Sequence, residues 1–136
     1  MRRKLNWVLA ALVLAAACDR EAVTYKQPPA GSYTTGTRRV KIGNAIVAVD
    51  GASVTPEFFR AIGVPPLLGR FFLVGDRKSQ APPVVVLSYA IWKERFNAAP
   101  EITGRTIEID GHAATVVGIA PRGFSLPGST QIWTPK

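Results

Sequence analysis

Cysteine and histidine are almost absent from this chain: one of each in 136 residues. A single cysteine closes no internal disulfide, and one Cys with one His supplies no zinc cage. Long apolar runs are also scarce. The only extended one, Trp7 to Ala17, is too short for a helix rising about 1.5 Å per residue to cross a hydrocarbon core of about 30 Å. Acidic residues are few, 9 against 17 Lys+Arg, for a formal charge of +8. The basic groups are nonetheless scattered, as Arg38-Arg39-Lys41, Arg77-Lys78, Arg105 and Arg122, without the one-faced clustering or interleaved aromatics of nucleic-acid binders. No nucleic-acid partner is expected. A chain of this length holds one domain of ordinary size.

Motifs for catalysis are missing as well. There is no G-x-x-x-x-G-K-[ST] loop to cradle phosphates, and no H-E-x-x-H, C-x-x-C or G-x-S-x-G. His112, the one imidazole, falls beside a predicted turn, where a solvated ring is expected. Glu108 and Asp110 alternate onto one strand face, and there they read as solubilising acids rather than an acid–base pair. The expectation is a protein that is not an enzyme, with no catalytic residue, no metal site and no cofactor.

The amino terminus carries a different signal. Arg2, Arg3 and Lys4 precede the apolar run, which exits through Ala15-Ala16-Ala17-Cys18. A basic start, a short apolar stretch and small residues at the exit describe a secretory signal peptide over residues 1–17. Leu-Ala-Ala-Ala-Cys resembles a bacterial lipobox, which makes Cys18 the predicted lipid-attachment residue. Several acyl chains at about 0.8 kcal/mol per buried CH₂ would hold such a protein on a membrane. Asp19 in the next position resembles an inner-membrane retention signal. Loss of the leader leaves 14 basic against 9 acidic groups, net +5, suited to the surface of anionic lipid. Residues 18–37 lack apolar periodicity and read as a flexible tether.

Order is expected from about Val40. Val40, Ile42, Ile46, Val47 and Val49 form a β-rich stretch with a turn or bulge at Gly43-Asn44, closed by Asp50-Gly51. Thr55-Pro56-Glu57 looks like a helix start and Gly63 its stop, with Phe58, Phe59 and Ile62 on one side, read as core. Val64 to Arg70 is an extended connection stiffened by two prolines. Val84-Val85-Val86-Leu87 suits a strand buried on both faces. Ser88 is placed to cap a helix over Tyr89–Phe96, with Tyr89, Trp92 and Phe96 on a core-facing stripe. Thr106–Asp110, Asp110-Gly111 and Ala113–Ile119 read as a β-hairpin. Pro121 to Phe124 and Ile132 to Pro135 are extended or looped. The fold class is α+β: a mixed β-sheet with two short helices and a C-terminal β-hairpin.

These segments also carry an ordered signature. Val54 to Arg70 resembles the "xYFxxLGVxPxxGRxF" stretch of the MacB-like periplasmic core domain. Val84 to Trp92 with Phe96, Ile102 to Ile107, Asp110-Gly111-His112, Val116 to Pro121, Gly123-Phe124 and Trp133 follow in order, so that the resemblance covers residues 38–136. It implies a non-catalytic α+β module on the periplasmic side of ABC-type permeases that act in efflux or lipoprotein release. The partners so implied are the membrane and subunits of an ABC transporter, permease or ATPase, at the bacterial cell membrane. The chain shows no permease helices after the domain and stops soon after Trp133, so two alternatives stand beside this one. One is a remnant of a truncated permease. The other is a stand-alone lipoprotein that binds a hydrophobic ligand, which requires an apolar pocket of about 300 Å³ or more.

Overall fold

Two ten-residue strands, β1 (Tyr33–Ile42) and β2 (Ala45–Val54), meet across a two-residue loop of Gly43 and Asn44, where Gly43 takes φ 62°. They pair antiparallel along their whole length, Tyr33 opposite Val54 and Ile42 opposite Ala45. The computed structural model describes residues 25–136, so the predicted signal peptide and Cys18 lie outside the described residues.

Strand β1 corrects the tether boundary at residue 37 and the onset of order at Val40. From Thr34 to Thr37 the strand is exposed, because beyond β2 its only other partner among the described residues is a short strand that meets Val40 and Lys41. Backbone ladder bonds alone make this part a strand, so its side chains have no reason to alternate. The predicted closure at Asp50-Gly51 is corrected too, since β2 runs through to Val54. Gly51 serves space rather than a turn: a Cβ there would sit 2.5 Å from Cγ of Arg38.

The first helix, α1 (Phe58–Ile62), follows a turn closed by Phe58 N–H donating to the Thr55 carbonyl, 3.0 Å, and ends at Gly63 with φ 85°. The second, α2 (Tyr89–Arg95), starts as the sequence requires, with Ser88 Oγ accepting from the Ile91 N–H at 3.2 Å. The remaining strands are β3 (Leu68–Gly69), β4 (Val84–Leu87), β5 (Thr106–Ile109), β6 (His112–Ile119) and β7 (Ile132–Pro135). Their order is β3-β6-β4-β7-β2-β1-β5, and a further β5–β6 pairing closes six of them into a ring with β3 alongside β6. The β2–β7 and β4–β6 pairs are parallel and the others antiparallel, which is the mixed sheet expected. The hairpin of β5 and β6 is present, but the chain then returns through the sheet. Ile132 to Pro135 forms β7, between β2 and β4.

Alternation along these strands builds two cores. Val85 and Leu87 of β4 face one with Val40, Val49, Ile107, Ile109 and Ile132, covered by Ile91 and Trp92 of α2. Val84 and Val86 face the other with Val54, Phe72, Phe124 and Trp133, covered by Phe58, Phe59 and Ile62 of α1. All four residues of β4 are buried, as a β-branched run between two layers should be.

Candidate functional site

The core under α2 turns polar at one end of the ring. Side chains two positions apart on a strand share a face. Arg38 therefore continues the row of Val40, Ser53 that of Val49 and Gly51, Thr134 that of Ile132, and His112 that of Ala114. Together they line an open cleft of about 370 Å³, with Asp110 at the tip of the β5–β6 hairpin and Asp76, Arg77 and Lys78 from the loop before β4.

Arg38 is held in place. Its Nε lies 3.1 Å from Asp110 Oδ2, and its Nη2 donates to Thr134 Oγ1 at 3.2 Å. The Ser53 and Thr134 hydroxyls are 3.2 Å apart. Asp110 sits at φ 51° in the turn with Gly111 at φ 81°, the paired left-handed geometry that a two-residue Asp-Gly turn provides. From there its Oδ1 accepts from the Arg39 N–H at 2.9 Å. The expectation of a merely solubilising acid at Asp110 is thereby corrected: its carboxylate binds β1 to the hairpin. Glu108 remains exposed and His112 is exposed beside the turn, as the sequence indicated.

The lip of the cleft is a short 3-10 turn, Val74–Arg77. Asp76 organises it. Its Oδ2 accepts from Arg70 Nη1 at 2.8 Å and from the Leu73 N–H at 2.7 Å. Partial burial draws the Asp76 carboxyl upward, but the hydrogen bond and charge of Arg70 and the Leu73 N–H outweigh this and hold it below the ordinary carboxylate range. The turn so fixed presents Leu73 and Val74 to solvent, 57% and 64% exposed. Arg77 and Lys78 form no ion pair among the described residues.

The lip has a testable acid response. The folded carboxyl of Asp76 binds its proton less readily than the unfolded one. Its stabilisation is therefore complete above the unfolded pKa, near 3.8, and is lost as pH falls through the lower folded value. We expect Asp76→Asn to cost about 1 kcal/mol at neutral pH, because the amide keeps an acceptor for the Leu73 N–H but loses the charge that faces Arg70. It should also flatten the acid limb of the stability curve; an unchanged acid limb would remove Asp76 from this role.

Other groups have structural work. Trp92 Nε1 donates to the Ala99 carbonyl at 2.9 Å, which fits the core reading of that residue. No group of three or more His, Cys, Asp or Glu side chains arranged for a metal ion occurs among the described residues. No helix among them is long and apolar enough to cross a membrane. Arg38 went unnoticed in the sequence because it reads as one of a basic triplet. Its signal is the spacing of two from Val40, which places it on the core-facing side of β1 opposite Val49.

This architecture has solved counterparts. The periplasmic region of MacB from Actinobacillus actinomycetemcomitans superposes with TM-score 0.62 at 21% identity, over 90% of this chain and 54% of that one. The extracellular domain of the noncanonic ABC-type transporter YknZ from Gram-positive bacteria superposes with TM-score 0.63 at 14% identity, over 82% of this chain and 55% of that one. In sequence, the macrolide export ATP-binding/permease protein MacB 1 of Yersinia pestis bv. Antiqua (strain Antiqua) is 28% identical over 103 residues, 74% of this chain. The chain spans 16% of the length of that relative. The family model of the MacB-like periplasmic core domain matches residues 3–136 and so takes in residues 3–37, ahead of the motifs quoted above. With fold, motif order and family match in agreement, this chain belongs to the MacB-like periplasmic core domain family.

Proposed function

We propose that this protein is a non-enzymatic, extracytoplasmic contact domain of a membrane-bound ABC-type export system, held beside the bilayer by its amino-terminal segment with Cys18 as the acylated residue. The family match over residues 3–136 carries the reading. The names of the relatives, a macrolide export permease and an ABC-type transporter, supply the transport setting. The geometry supports contact rather than conversion: the described cleft is a fixed polar surface, with the Asp110 carboxylate committed to Arg38 and to the Arg39 backbone. Its charged lining suits polar partners better than the wholly apolar pocket a hydrophobic-ligand carrier would need.

Two measurements test this. Affinity isolation of the full chain from native membranes under mild solubilisation should recover an ABC-type permease or ATPase subunit; finding neither would count decisively against the assembly. Cys18→Ser should abolish fatty-acid labelling and shift the protein from the membrane to the soluble fraction. Retention equal to the unsubstituted protein would assign anchoring to the Trp7–Ala17 run instead.

A further inference from the structure

We propose that the cleft at the mouth of the strand ring binds the phosphate headgroup of an anionic phospholipid, with Leu73 and Val74 meeting the acyl side. The inference rests on the reading of a domain beside a bilayer and names the molecule that its cleft would take there.

Three features converge. First, the cleft has a fixed donor set. Arg38 is held inward by Asp110 and Thr134, and the Ser53 hydroxyl lies beside Thr134, so little freedom is lost when an anion arrives. Gly51 leaves room for the arginine stem that any larger residue would displace. Second, the charge is unbalanced. The two carboxylates in the lining, Asp76 and Asp110, are each satisfied by an arginine, Arg70 and Arg38. Arg77 and Lys78 line the same cleft without an ion-pair partner among the described residues. Two free cations at the rim of a recess of about 370 Å³ suit a compact anion.

Third, the same lip is apolar on its outer side. Leu73 and Val74 are among the few large aliphatic side chains left exposed, and Asp76 fixes the turn that displays them. An inorganic anion has no use for them. A lipid does, because burying an aliphatic side chain in the acyl boundary removes its apolar surface from water.

The experiment is an amide chemical-shift titration of the full chain in micelles of an uncharged detergent, with three probes: dihexanoylphosphatidylglycerol, dihexanoylphosphatidylcholine and inorganic phosphate. The glycerol lipid should move the amides of Ser53, Thr134 and His112 together with those of Leu73 and Val74. The choline lipid and inorganic phosphate should bind about tenfold more weakly or less. Arg77→Gln with Lys78→Gln, both on an exposed rim, should weaken the glycerol lipid about tenfold with the fold intact. Leu73→Ser with Val74→Ser should weaken it and leave the phosphate response unchanged. Equal binding of the two lipids would overturn the proposal. So would a phosphate response as strong as the lipid response, or shifts confined to residues outside the cleft. The titration does not depend on Cys18 or on any transporter subunit, so its failure is separate from failure of the assembly or the anchor.

Discussion

Trp133→Ala is expected to destabilise the domain by about 3–5 kcal/mol, a large part of the 5–15 kcal/mol that holds most small domains folded. Trp133 lies on β7, between β2 and β4, and is fully buried. Its ring meets Phe59 and Phe124 at centroid distances of 5.7 and 5.6 Å. Its Nε1 donates to the Leu126 carbonyl at 2.8 Å. Alanine removes the ring from the centre of the α1-side core and strands that carbonyl, so a cavity and an unpaired polar group arise together. Trp133→Phe keeps much of the volume but not the donor, and should fall between the two. Urea unfolding of the three proteins measures this. A loss below about 1 kcal/mol for alanine would mean that the core collapses around the gap, contrary to the packing described.

The same residue shows why the sequence was only partly legible. Elements whose determinants are local read well. Ser88 caps α2 through its own hydroxyl, Gly63 ends α1 by its own φ, and Asp110-Gly111 turns β5 into β6 by its own geometry. Elements defined by distant partners did not. β7 is four residues, Ile-Trp-Thr-Pro, too short for a period, and becomes a strand only because β2 and β4 lie on either side of it. The first half of β1 is Tyr-Thr-Thr-Gly-Thr, polar because its outer edge is open, and its register comes from the ladder to β2. The site follows the same rule. Asp110 and His112 were visible as a turn, while Arg38, Ser53 and Thr134 come from three strands that only the closed ring brings together.

Gly118→Ala tests that closure at its tightest point. On β6, the partners of β4 step from Val85 opposite Val116 to Val86 opposite Gly118, a register shift that passes over Val117. On the other side Gly118 pairs with Gly69 of β3, which takes φ 67°. Two glycines, 49 positions apart in sequence, thus let two backbones approach: a Cβ on Gly118 would collide with the Arg70 carbonyl oxygen, which is main chain and cannot swing away. We expect a loss of about 1–3 kcal/mol or more from overpacking. The damage should be local as well as global. Arg70 N–H donates to Val117 and Leu67 N–H to Ile119, both at 2.8 Å, and these bonds fix the strand that carries Arg70 to Asp76. Amide exchange at Leu67 and Arg70 should quicken, and the lip that presents Leu73 and Val74 should loosen with it. Gly36→Ala is the control, because a Cβ there meets nothing within 4 Å and its φ is not left-handed. If both substitutions left stability and exchange equally unchanged, the β3–β6 contact would not be the constraint on the lip, and the loop before β4 would owe its shape to Asp76 alone.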